Sequence, residues 1–72
     1  MTATAIRQGH YETHFAGQGI FVTLGAHSAR INIWDGSRMT SDRYDPKYVR
    51  GYIKALRADG AQFTFRAARP AR

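Results

Sequence analysis

Asp45-Pro46-Lys47-Tyr48-Val49-Arg50-Gly51-Tyr52-Ile53-Lys54-Ala55-Leu56-Arg57 is a helix-sized stretch that sorts its side chains by chemistry. At about 100° per residue, Tyr48, Val49, Tyr52, Ile53 and Leu56 fill an arc of roughly 140°. Lys47, Arg50, Lys54 and Arg57 fill an opposing arc of roughly 80°, with no acid between them. The first arc needs a core. The second is a strip of positive charge rising along about 15 Å of helix axis. Both ends of the helix are marked. Asp45 suits the N-cap and Pro46 the first helical position. Asp59-Gly60 ends it, with Gly60 as the left-handed cap residue.

Upstream, the hydrophobic period changes to two. Tyr11, Thr13 and Phe15 alternate with His10, Glu12 and His14, which predicts a strand within 6–15. Ala16-Gly17-Gln18-Gly19 is a turn. Ile20 to Leu24 and Ala29 to Trp34 are β-branched and aromatic, and read as strands. Ile20, Val22 and Leu24 share one face. Ile31 and Ile33 point inward, while Arg30, Asn32 and Trp34 point outward beside Phe21 and Thr23. Asp35-Gly36 predicts a type I′ hairpin turn, leading to a short polar edge strand over about 37–42. A last strand over 61–66 sets Phe63 and Phe65 on one face.

The expected order is β-β-β-β-α-β. This is an α+β fold, an antiparallel sheet of four to five strands with one helix packed on one face. Its core joins Tyr48, Val49, Tyr52, Ile53 and Leu56 to Val22, Leu24, Ile31, Ile33, Phe63 and Phe65. One helix cannot cover such a sheet, so the other face is either solvated or an interface. At 72 residues the chain is a single small domain, with residues 67–72 expected to form a flexible basic tail.

Net charge is +6, carried by nine Arg and two Lys against five acids. Arginine's planar fork suits phosphates and carboxylates. The absence of cysteine excludes disulfides and thiolate metal sites, and suits a reducing cytoplasm. No leader and no spanning segment is evident, so the protein is expected to be cytoplasmic, without a membrane partner.

Lys47, Arg50, Lys54 and Arg57 are the primary candidates for contact with nucleic acid or another anionic partner. Arg30, Arg38, Arg43 and Arg66 are secondary candidates. Arg38 and Arg43 flank hydroxyls just before the helix start, a setting for anions that Asp42 and Asp45 partly neutralise. Trp34 and Phe21 are candidates for a protein interface, for a homodimer through the open sheet face, or for base stacking. Trp34 could instead cap the core. The RNP sequences of RNA-recognition sheets are absent.

His10 and His14 lie about 13 Å apart on a strand and cannot share an ion, so no metal or other cofactor is expected. No P-loop, nucleophile elbow or dinucleotide fingerprint occurs, and Glu12 is the only glutamate. The expectation is a non-catalytic basic module that contacts nucleic acid or a nucleoprotein. The alternative is an inhibitor of the kind phages and mobile elements encode, binding an acidic host protein complex such as a defence nuclease.

Overall fold

Four consecutive strands with period-two patterning fold into a meander, and the helix carries the chain back across it. A computed structural model of the protein describes residues 6–67. Strands β1 (Gly9–Phe15), β2 (Gln18–Leu24), β3 (Ala29–Trp34) and β4 (Met39–Tyr44) precede helix α1 (Pro46–Ala58) and strand β5 (Thr64–Ala67). The sheet order is β4-β3-β2-β1-β5, and every neighbouring pair is antiparallel. The two edge strands, β4 and β5, therefore run parallel to each other on opposite sides of the sheet, joined by α1. Ala67 is part of β5, so the expected tail does not begin there; 68–72 lie outside the described residues.

The core sits between α1 and one face of the sheet. Tyr11, Ile20, Val22, Leu24, Ala29 and Ile31 are buried there against Val49 and Ile53, which are fully inaccessible. Burying each of these two helix side chains contributes about 1.5–3 kcal/mol. Tyr11 packs edge-on to Phe63 and tilted against Phe65, with centroids at 6.2 and 4.9 Å. The buried hydroxyl of Thr13 donates to the Gln62 carbonyl at 2.7 Å.

Tyr48 departs from the expected core, being 56% exposed. Pro46, Val49 and Ile53 are the buried residues of α1, so the buried arc is centred away from Tyr48 and towards the arginine side. Tyr48 instead stacks on Tyr44, with centroids 5.0 Å apart. Ile33, Tyr52, Leu56, Phe63 and Phe65 border the core and are only partly buried.

The helix ends follow the sequence. The Asp45 carboxylate accepts from the Lys47 N–H at 2.8 Å. At the other end, Ala61 N–H donates to Leu56 O and Gly60 N–H to Arg57 O, with Gly60 at φ 106°. This is the Schellman arrangement.

The turns differ from expectation. The tight two-residue hairpin is Ala16-Gly17, with φ of 54° and 77°. At Asp35-Gly36 only Gly36 has positive φ, and residues 35–38 form a four-residue loop. The cause is the Asp35 side chain. Its carboxylate accepts from the backbone N–H groups of Ser37 (2.9 Å) and Arg38 (3.0 Å) and from the Ser37 hydroxyl. Those bonds, the Ser37 N–H first, hold its carboxyl below the ordinary 3.8. The return strand consequently begins at Met39.

Gly9 is required where it stands. Its φ is 150°, and a Cβ there would lie 2.6 Å from the Arg66 carbonyl and 2.7 Å from the Phe65 ring. Only a residue without a side chain lets β5 pair this closely with β1.

Candidate functional site

Alternation along each strand sends every second side chain to the face that α1 leaves uncovered. The register aligns these residues into rows across the sheet. Arg43 is opposite Arg30, Arg30 opposite Thr23, Thr23 opposite His10, and His10 opposite Arg66. The row crosses all five strands and every member is exposed. At about 4.8 Å per strand it measures roughly 19 Å.

The next row runs Ser41, Asn32, Phe21, Glu12 and Thr64. The third holds Met39, Trp34, Gly19 and His14. Among the described strand residues, Glu12 is the only acid on this face, and it stands outside the basic row.

The Arg30–Arg43 pair has an electrostatic cost. Directly opposed side chains have Cβ atoms about 4.5–5.5 Å apart, and like-charged side chains so opposed disfavour the pairing. No carboxylate lies in their row. Arg30 Nη1 donates to the Ser41 hydroxyl at 3.0 Å, a neutral partner that leaves the charge in place. Thr23 Oγ1 and His10 Nδ1 share a hydrogen bond of 3.3 Å further along.

The aromatic residues are offset from this row. Phe21, on β2 near the middle of the sheet, packs edge-on to His14 at 6.5 Å and lies over Gly19, where a Cβ would come within 3.3 Å of its ring. Trp34 is 43% exposed and faces Met39, itself 51% exposed, across the strand pair. Trp34 therefore does not cap the core. Between these elements Asn32 Oδ1 is buried and has no hydrogen-bond partner.

Shallow depressions lie along the face. One of about 240 Å³ lies between Arg30, Arg43 and the Gly25–Ser28 turn. Another of about 240 Å³ is framed by His10, Glu12, Phe21, Thr23 and Arg66. A third, of about 380 Å³, adjoins Trp34, Gly19 and His14.

The helix strip behaves differently. Lys47 and Lys54 are exposed, but Arg50 is half-buried and its Nε donates to the Ile6 carbonyl at 3.4 Å. The Arg57 guanidinium lies 6.0 Å from the Phe63 ring centroid. Two of its four cations thus lean on their own chain. The strip also lies on the far side of a molecule whose shortest extent is 20 Å. Burial pushes the Tyr52 phenol above its ordinary 10.0, and Tyr48 and Tyr44 add to the shift.

The segment before the helix forms the expected edge strand and separates the two arginines that flank its hydroxyls. Met39–Tyr44 is strand, which sends Arg43 to the open face and leaves Arg38 in the 35–38 loop. Sequence reasoning missed His10 as a member of the basic row, and the signal for it was the hairpin loop lengths that fix the register. Among the described residues no three His, Cys, Asp or Glu side chains are grouped to hold a metal, and no helix is long and apolar enough to cross a membrane. No family model, curated protein or solved structure matches this chain.

Proposed function

We propose that this protein is a non-catalytic module that binds nucleic acid through the uncovered face of its sheet, with Arg30, Arg43 and Arg66 contacting phosphates. The observation that carries the reading is the opposed Arg30–Arg43 pair in a row without a carboxylate. A like-charge pair destabilises the free protein and becomes favourable once an anionic chain lies over it. Phosphate contacts of this kind position the ligand without reading its sequence. Lys47 and Lys54, on the opposite side, are accessory.

The test is fluorescence anisotropy with a labelled mixed-sequence 20-mer, as single strand and as duplex, over a salt series. Arg30→Ala with Arg43→Ala lowers affinity by on the order of tenfold to hundredfold. It also flattens the slope of log affinity against log salt by about 1.4 on single strands, at roughly 0.7 per lost phosphate contact. Unchanged affinity and slope in this double variant, with its fold verified by circular dichroism, sinks the proposal.

A second reading, a protein-binding inhibitor, draws on one observation. The adjacent Trp34 and Met39 side chains are both large, apolar and exposed. Such a pair can anchor a protein interface. It is favoured if the wild-type protein binds neither form of the oligonucleotide.

A further inference from the structure

Resting on that reading, we propose that the ligand is single-stranded, laid across the strands with phosphates along the Arg43–Arg30–Arg66 row and bases over Phe21 and Trp34. Width is the first argument. The row measures about 19 Å from edge strand to edge strand, whereas the major groove of B-DNA is about 12 Å wide. A five-stranded face cannot enter that groove, and it meets a duplex only at the backbone.

The second argument is the placement of rings beside charges. Phe21 lies one row from the arginines, about 7 Å along the strand direction, and Trp34 lies about 13 Å from Arg30. Both are on the same side of the sheet as the cations. Unpaired bases offer π-faces that such rings can stack on, while bases inside a duplex do not.

Glu12 supplies the third. It sits beside Phe21 in the middle row and repels phosphate there, which keeps the backbone on the arginine side and directs the bases to the aromatic side. The short row implies a footprint at the low end of the roughly 4–16 nucleotides that single-strand-binding folds cover.

The experiment titrates the protein with a mixed-sequence 12-mer, as single strand and as blunt duplex, at low salt. Single strands are expected to bind at least about tenfold tighter than the duplex, and to quench the emission of Trp34, the only tryptophan in the chain. Trp34→Ala weakens single-strand binding about five- to hundredfold and leaves duplex binding unchanged, while Trp34→Phe retains most of the affinity. Trp34 is exposed, so neither variant compromises the core. Duplex affinity equal to or above single-strand affinity overturns this inference alone, as does a Trp34→Ala variant with unchanged single-strand binding. Failure of the wild type to bind either form overturns the functional reading beneath it.

Discussion

The two basic surfaces carry the same kind of charge but stand in different relations to the rest of the molecule. On α1 the cations come from one element, and the two arginines turn back towards Ile6 and Phe63. Their stems cover the border of the core, as long charged side chains often do. On the sheet, the arginines come from β3, β4 and β5, and two of them stand opposite one another with no acid in their row. Positive charge that protects a core explains itself. Positive charge opposed to itself across a strand pair has no counterpart in its row, and this separates the two surfaces more clearly than the number of cations does.

The contrast can be broken most forcefully at Gly9, because the sheet row needs β5 to be docked. Gly9→Ala forces a methyl group against the Arg66 carbonyl at a backbone angle that L-residues rarely adopt. A loss of about 2 kcal/mol in urea unfolding is expected, with a fall in oligonucleotide affinity close to that of Arg66→Ala. A Gly9→Ala protein of undiminished stability would show that β5 pairs less tightly than described.

Asn32 offers a smaller effect of opposite sign. Its buried acceptor has no partner, and β-branched residues suit a strand. Asn32→Val is expected to raise stability by about 1 kcal/mol while lowering oligonucleotide affinity. A gain in both would remove the middle row from the binding surface.

Lys47→Glu with Lys54→Glu sharpens the comparison from the other side. It reverses the two exposed helix cations and is expected to change affinity by less than about threefold, through the long-range field alone. A larger loss than Arg30→Ala with Arg43→Ala produces would exchange the roles assigned to the two surfaces.

The smallest effect concerns the loop that sets where β4 starts. The folded-state value of the Asp35 carboxyl lies below its unfolded one. Its contribution to stability is therefore present above about pH 4 and is lost as pH falls through the lower folded value. Asp35→Ala should cost more stability at pH 7 than at pH 2, measured as the shift in urea midpoint. Equal costs at both values would mean that the carboxylate does not hold the loop.

Much of the architecture was legible in the chain because local signals agreed. Asp45-Pro46 and Gly60 bound the helix, and the alternation in β2 and β3 assigned their faces correctly. What was not legible depended on neighbours. A helical wheel defines the width of an apolar arc but not which part of it meets the sheet, so Tyr48 was assigned to a core it does not enter. The dipeptide Asp35-Gly36 fits a tight turn, yet the Asp35 side chain can close a longer loop by itself, and it does. The outward direction of Arg30, Phe21 and Trp34 followed from parity. Their alignment with Arg43, His10 and Arg66 needed the register of four strand pairs, which no single segment contains.

The placement of β5 on the outer edge of β1 has a consequence for synthesis. A ribosome releases the chain from its beginning, so β1 to β4 and then α1 emerge while the outer hydrogen-bonding groups of β1 have no partner. Only when residues 64–67 clear the exit tunnel is that edge closed. During this interval the nascent protein presents a strand that any neighbouring extended chain can join.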